Sequence, residues 1–157
     1  MAAVNTASGH INFRMVGTFM HKVLLAAVGF LAFGAFSAAE ARVVVKVSKA
    51  RQTMYVYVDG YLQHVWPVST ARNGYSTPNG VYHPTALDPY HRSSRYHNSP
   101  MPHSIFFRGG YAIHGSYDVG RLGRPASHGC IRLDPRHASE LYGLVRTSGG
   151  TRIVVSR

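Results

Sequence analysis

An apolar run near the N-terminus divides this sequence into a leader and a domain. Residues 23–36 carry no charged side chain and follow the basic residues Arg14 and Lys22. A run of 14 residues is short for a membrane span but typical of the hydrophobic core of a signal peptide. Small residues follow the run, so we predict cleavage after Ala41, with 37–39 as a second candidate site.

We therefore predict that residues 1–41 are a signal peptide and that residues 42–157 form one exported, periplasmic domain. The stretch before Lys22 is long for the start of a signal peptide, so Met15 or Met20 is an alternative initiation site. An uncleaved membrane anchor is the alternative to cleavage, and the small residues at the boundary disfavour it. No stable membrane span is expected after cleavage.

The pattern after residue 41 predicts a fold that is mostly β with one helix. Short β-branched and aromatic segments predict strands at 43–48, 53–58, 61–68, 81–83, 105–107, 111–113 and 151–156. The strands at 105–107 and 111–113 could equally be one bulged strand. Asp59 and Gly60 predict a tight hairpin turn, because both residues tolerate positive φ. Asp134 and Pro135 predict the N-cap and the first residue of the helix. Its apolar face is predicted to hold Leu141, Leu144 and Val145.

Residues 84–104 lack any sustained periodicity, and four prolines disfavour a continuous helix or a central strand there. Long aperiodic loops in compact domains are usually functional or disordered. We predict a partly ordered lid over a site, with a solvated surface loop as the alternative.

Charge and cysteine content limit the possible functions. Lysine and arginine number 17 against 6 acidic residues, which gives a net charge of +11 and favours acidic partners or surfaces. Cys130 is the single cysteine, so neither an internal disulfide nor a zinc site with several cysteines can form. In an exported protein a lone thiol indicates either intermolecular pairing or a nucleophile.

The residues around Cys130 favour the nucleophile. A thiol with its ordinary pKa of about 8.5 is mostly protonated at neutral pH, so it needs a base or a cationic neighbour. His128 lies two residues before Cys130, which places both side chains on one face of an extended segment. His114 lies at a predicted strand end that could return beside the thiol. The Gly129 and Cys130 amides could donate to an oxyanion, and Arg132 could bind a carboxylate.

Two other classes of function use the same residues. His114, His128 and Cys130 are possible zinc ligands, which would suit a metal-dependent hydrolase, although no carboxylate base accompanies them. The positive charge would also suit a non-catalytic module that binds the cell wall or nucleic acid. Export argues against nucleic acid, and no basic run interleaved with aromatic residues is present.

The motif that combines these residues resembles a known family. His114-Gly115, followed by Ser127-His128-Gly129-Cys130 and Arg132, is similar to the signature of the L,D-transpeptidase catalytic domain, also called YkuD. The turn Thr77-Pro78-Asn79-Gly80 resembles the family's Thr-Pro-x-Gly turn, and the resemblance extends over residues 43–156. It implies a compact, mostly β domain with the site at one end.

The resemblance also implies roles for individual residues. Cys130 would be the nucleophile and His114 its general base, with the main-chain carbonyl of Gly115 orienting that histidine. His128 would help to form the oxyanion environment with the Gly129 and Cys130 amides. Ser127 would support the geometry of the site, and Arg132 would contact a substrate carboxylate. An aromatic residue completes such sites, and the candidates are Tyr96, Phe107 and Tyr111.

The implied reaction is acyl transfer on peptidoglycan stem peptides. Cys130 would attack the bond between diaminopimelate and D-alanine in a tetrapeptide stem, form a thioester and pass the acyl group to an amine. No metal or organic cofactor is implied. With water as acceptor the protein would be an L,D-carboxypeptidase, and with a protein lysine it would attach a lipoprotein to the wall.

Overall fold

The computed structural model describes residues 42–157, which form two β-sheets and one α-helix. The strands are β1 (Val43–Ser48), β2 (Thr53–Val58), β3 (Tyr61–Pro67), β4 (Gly80–Tyr82), β5 (Ala86–Asp88), β6 (Ser104–Arg108), β7 (Tyr111–Gly115), β8 (Ile131–Leu133) and β9 (Thr151–Ser156). The helix α1 spans Pro135–Thr147, and a 3₁₀ turn spans Val119–Arg121. The predicted class, mostly β with one helix, is confirmed.

The predicted signal peptide and both candidate cleavage sites lie outside the described residues. Within residues 42–157, no helix is long and apolar enough to cross a membrane.

The first sheet contains five strands in the order β3-β2-β1-β9-β4. β1 pairs with β2 in antiparallel and with β9 in parallel orientation. Burial alternates along β1, where Val43, Val45 and Val47 are buried and the residues between them face outward. Asp59 and Gly60 have φ values of 49° and 84°, so the predicted tight turn between β2 and β3 is present.

The second sheet contains four strands in the order β5-β6-β7-β8. β6 and β7 are separate antiparallel strands joined through Gly109 and Gly110, and a register shift lies between Phe106 and Arg108. The sequence left one bulged strand open as an alternative, and the structure has two. β7 and β8 run parallel and place His114 directly beside Arg132. This pair of strands carries His114, Gly115 and Arg132, and the other predicted site residues, 127–130, directly precede β8.

The helix begins as predicted, because the Asp134 side chain accepts a hydrogen bond from the Arg136 amide at 2.8 Å and Pro135 occupies the first turn. Leu141 and Val145 are buried, whereas Leu144 is only partly buried. Sequence patterns misplaced some strand ends by one or two residues and missed the short edge strands β5 and β8, because three residues give too little periodicity.

Candidate active site

A cavity of about 880 Å³ opens beside β7 and β8. The residues predicted for the site that line it are His114, Ser127, His128, Cys130 and Arg132. Gly115 and Gly129 do not line it and instead shape the chain next to the lining residues. The structure therefore brings the predicted histidines, the thiol and the arginine to one cavity.

His114 lies in β7 and is buried. Its Nδ1 is 2.7 Å from the Gly115 carbonyl oxygen, which can only accept, so Nδ1 carries the proton and Nε2 keeps its lone pair. Burial lowers the pKa of His114 to about 4. The charge of Arg132 also lowers this pKa, whereas the hydrogen bond to Gly115 raises it. At neutral pH this imidazole is a neutral base.

Close packing disfavours a side chain at position 115. A Cβ at this position would lie 3.0 Å from Pro135 Cα and 3.1 Å from Pro102 Cγ. The Gly115 amide also donates to the Pro102 carbonyl at 2.8 Å. These contacts hold the Gly115 peptide, whose carbonyl orients His114, against the start of α1 and the end of the loop that follows β5.

The Cys130 thiol is partly exposed and lies just before β8, with its Sγ 3.8 Å from the Gly110 carbonyl oxygen. Burial raises the pKa of the thiol, although a hydrogen bond from the Ala112 backbone and the charge of Arg132 partly oppose the shift. The resting pair is therefore a neutral thiol and a neutral imidazole.

The Gly129 amide is not a free oxyanion donor, which corrects the prediction from sequence. It donates to Ser127 Oγ at 3.0 Å. Thr77 Oγ1 donates to the Gly129 carbonyl at 2.8 Å, so both sides of this glycine are held. Gly129 has a φ of +135°, and a Cβ there would lie 2.7 Å from the Tyr111 ring. The Cys130 amide stays a predicted donor.

Thr77 was recognised in the sequence only as part of a turn. In the structure its hydroxyl also accepts from the Ala71 amide at 3.0 Å, and it is fully buried. The Thr-Pro-x-Gly turn therefore fixes the segment that contains the thiol. A buried threonine beside a turn proline carries no sequence signal that would identify this contact.

His128 is held by three side chains from two loops. Its Nε2 is 2.7 Å from Arg72 Nη2, so this nitrogen accepts a hydrogen bond. Tyr96 stacks on its ring at 4.4 Å between ring centres, and Tyr75 meets it edge-on at 4.5 Å. Partial burial and the charges of Arg72 and Arg132 lower the pKa of His128. Arg72 and Tyr75 were not predicted from the sequence.

The lid loop, residues 89–103, forms one wall of the cavity. Three backbone hydrogen bonds close it like a hairpin, and they run from His103 to Pro89, from Met101 to His91 and from Ser93 to Ser99. The loop therefore lies beside the candidate site, as the interpretation as a lid requires, and its functional role stays a prediction.

The three candidate aromatic residues differ in whether they line the cavity. Tyr96 extends from the lid loop onto His128 and lines the cavity. Tyr111 also lines the cavity and covers Gly129. Phe107 is 3% exposed and belongs to the core, so it is not the residue that completes the site.

Arg132 provides a cation in the cavity. Its Nη1 is 3.9 Å from Asp118 Oδ2, and that carboxylate also pairs with Arg121 Nε at 3.2 Å. Because Asp118 is shared and exposed, its neutralisation of Arg132 is weak. Arg132 can therefore bind a carboxylate that enters the cavity.

His114, His128 and Cys130 do not converge on one point that could hold a metal ion. Among residues 42–157, no group of three or more histidine, cysteine or acidic side chains has suitable geometry. The His128 Nε2 lone pair is directed to the Arg72 guanidinium instead. The site thus has the components of cysteine and histidine acyl transfer on a mostly β domain.

Comparisons with known proteins agree with this class. A family model, the L,D-transpeptidase catalytic domain YkuD, matches residues 42–155, and the chain belongs to this family. A search of curated proteins found no match.

The chain is similar in structure to solved L,D-transpeptidases. One from Mycobacterium smegmatis is 27% identical with a TM-score of 0.68, over 74% of this chain and 59% of that one. One from Mycobacterium tuberculosis H37Rv is 25% identical with a TM-score of 0.68, over 74% and 58%. An L,D-transpeptidase in complex with imipenem is 22% identical with a TM-score of 0.67, over 74% and 59%, and this likeness shows the fold alone. The chain spans about three fifths of these solved chains.

Proposed function

We propose that this protein is an exported L,D-transpeptidase that uses Cys130 as its nucleophile on peptidoglycan tetrapeptide stems. The observation that carries the proposal is the placement of the Cys130 thiol and the buried, neutral His114 in the walls of one cavity. Arg132 adds a cation beside them. Membership of the L,D-transpeptidase family supports the reaction class.

The first step forms an acyl-enzyme. His114 Nε2 takes the thiol proton as Cys130 Sγ attacks the carbonyl carbon that joins diaminopimelate to D-alanine. The C–N bond breaks, His114 returns the proton to the departing D-alanine amine, and a thioester remains. Arg132 binds a carboxylate of the stem peptide and holds it against the cavity wall.

The second step releases the enzyme. An amine from another stem attacks the thioester carbon and loses a proton to His114. The C–S bond breaks, Cys130 Sγ recovers the proton, and an amide crosslinks the two stems. The Cys130 amide is the proposed donor to the oxyanion in both steps, because the Gly129 amide is occupied by Ser127.

Product analysis tests the reaction and the acceptor together. We expect purified protein to release D-alanine from a disaccharide-tetrapeptide and to form a crosslinked dimer, with no product from Cys130→Ala. Tripeptide without dimer would identify water as the acceptor, and an adduct on a lysine-containing peptide would identify the lipoprotein reaction. D-alanine release that persists in Cys130→Ala would overturn the role of Cys130.

Three reagents, a carbapenem, a chelator and a thiol alkylator, separate thiol from metal chemistry. A carbapenem should add once to the wild-type protein and not to Cys130→Ala, as measured by intact mass. The choice of probe is supported by the similar structure in complex with imipenem. Activity lost with a chelator but kept after alkylation of the thiol would instead favour a metal-dependent hydrolase.

Export is part of the proposal and has its own test. The apolar run 23–36 and the small residues after it support cleavage after Ala41. Protein recovered from the periplasmic fraction should begin at Arg42 when its N-terminus is sequenced. Recovery of the uncleaved chain from the cytosol alone would contradict it.

A further inference from the structure

The exposed large apolar side chains of residues 42–157 form two groups. In the first group, Tyr117 lines the cavity, Tyr75 contacts the lining residue His128, and Tyr90 and Val119 adjoin lining residues in the chain. Those on or beside the five-stranded sheet are Tyr61, Leu62, Val65 and Val81. None of the second group lines the cavity, so the candidate active site does not explain their exposure.

Strand register arranges part of the second group into two rows on the outward side of the sheet. One row crosses four strands and consists of Leu62, Tyr57, Val44 and Arg152. The other crosses all five strands and consists of Val65, Tyr55, Lys46, Val154 and Val81. We call these nine residues the outer sheet face. The alternate residues of β1, β2 and β9 are mostly buried, which places the rows on the side away from the core.

The outer sheet face combines aromatic rings with cations. Lys46 Nζ lies 4.7 Å from the centre of the Tyr57 ring, and Arg51 Nη1 donates to the Tyr55 hydroxyl at 3.4 Å. Lys46 and Arg152 are exposed. Neither row contains an aspartate or a glutamate. A ligand for this face therefore needs apolar surface and negative charge.

We propose that the outer sheet face is a second binding site for the peptidoglycan polymer, separate from the cavity. The inference rests on the proposed function, which makes this polymer the substrate. Apolar faces of the sugars would pack on Tyr55 and Tyr57, and stem carboxylates would pair with Lys46 and Arg152. The polymer carries both features in every repeat, and a chain of net charge +11 is complementary to it.

A second site on the same polymer has a kinetic consequence. Binding at the outer sheet face raises the effective concentration of nearby stems at the cavity. Intact polymer should therefore have a lower KM than a soluble disaccharide-tetrapeptide, whereas kcat should be similar. Loss of the face should remove this advantage and leave turnover of the soluble fragment unchanged.

Co-sedimentation with insoluble peptidoglycan sacculi tests the site. The variant carries Lys46→Glu and Arg152→Glu, and the matched control carries Arg136→Glu and Arg146→Glu, two exposed arginines of α1. We expect the sheet variant to bind sacculi about tenfold more weakly and the helix variant to bind within about twofold of wild type. Tyr55→Ser with Tyr57→Ser should weaken binding without changing net charge. Thermal melts confirm that each variant is folded.

Several results would overturn the proposal. Equal losses in the sheet and helix variants would indicate attraction by net charge alone. Complete loss of binding after carbapenem blocks the cavity would show that the cavity is the only site. Selective binding of anionic lipid vesicles, or a dimer that Leu62→Ser with Val65→Ser dissociates, would assign the face to a membrane or to a second copy. If no variant turns over the soluble fragment but sacculi binding still depends on Lys46 and Arg152, the proposed function fails and the binding site stands.

Discussion

The two walls of the cavity are built in different ways. One wall consists of β7 and β8, where main-chain pairing fixes His114 beside Arg132 and the Gly115 carbonyl fixes the imidazole. The other wall is the lid loop, residues 89–103, which is closed by three backbone hydrogen bonds and largely exposed. At its tip His97 and Asn98 have φ values of 49° and 54°.

Because of this difference, we expect the strand wall to carry out proton transfer and the lid loop to control substrate entry. Strand pairing and burial hold the proton-transfer group with little freedom, which is what acyl transfer needs. The tip of the lid loop reaches the opposite side of the site through the stack of Tyr96 on His128, whereas its end is tied to β7 by the hydrogen bond from the Gly115 amide to the Pro102 carbonyl. The exposed tip of the loop can therefore move without disturbing the strands. Changes in the strand wall should therefore stop the reaction, and changes in the lid wall should alter substrate entry.

Removal of the base in the strand wall should have the largest effect. His114→Gln can still donate to the Gly115 carbonyl but cannot take the thiol proton. We expect kcat/KM for D-alanine release to fall by about 10²–10⁴-fold, the usual contribution of general acid–base catalysis. Steady-state release of D-alanine measures the effect.

His83→Ala is the matched control, because His83 is an exposed histidine that does not line this cavity. Its kinetics should equal those of the wild type. Equal rates for His114→Gln and wild type would show that another group is the base.

The pH dependence of acylation should report the lowered pKa of His114. Because burial lowers the pKa of His114 to about 4, kcat/KM for acylation should stay level from about pH 7 to 5 and fall only as pH drops through about 4. An exposed histidine would give the fall near its ordinary pKa of about 6.5.

Alkylation by iodoacetamide reports the thiolate directly. Because burial raises the pKa of Cys130, the alkylation rate should continue to rise above the ordinary thiol pKa of about 8.5. An alkylation rate that levels off below pH 7 would indicate a resting thiolate and contradict the neutral pair.

The strand wall was more predictable from sequence than the lid wall, for a physical reason. Spacing of two residues placed Cys130 and Arg132 on one side of an extended segment, and both line the cavity. Alternation and turn residues likewise gave β1, β2 and the Asp59–Gly60 turn, because each depends on neighbouring residues alone.

The contacts that sequence reasoning missed join distant parts of the chain. Arg72 and His128 are 56 residues apart, and Thr77 and Gly129 are 52 apart. The Gly129 amide was misassigned because its partner, the Ser127 hydroxyl, depends on local backbone angles that spacing does not specify. A lid without periodicity gave no indication of which aromatic residue faces the site.

Glycine substitutions compare Gly129, which is constrained by its surroundings beside β8, with Gly143, which has open space around it. Gly129→Ala combines a φ of +135° with a Cβ 2.7 Å from the Tyr111 ring, so we expect a loss of about 1–3 kcal/mol in the free energy of unfolding. Gly143 lies in α1 with open space around it, so Gly143→Ala should gain about 0.5–1 kcal/mol. Urea denaturation measures both. Equal effects would mean that Gly129 is not constrained by its surroundings.

The smallest effects should come from the side chains that hold His128, namely Tyr96 of the lid loop and Arg72 of the loop that follows β3. Tyr96→Ala removes the stack on His128, and Arg72→Gln weakens the contact that holds the histidine from the other side. Aromatic pairs contribute about 0.5–1.5 kcal/mol, so each change should raise KM by about 2–10-fold and leave kcat nearly unchanged. Tyr90→Ala is the control, because Tyr90 belongs to the same loop and is 87% exposed.

The KM and kcat values decide whether the two walls act independently. A double variant of Tyr96→Ala and Arg72→Gln should show no more than a small extra effect, because both changes release the same histidine. A fall in kcat comparable to that of His114→Gln would place His128 in the chemistry and not in the closure of the lid. The distinction between a rigid catalytic wall and a mobile entry wall would then be wrong.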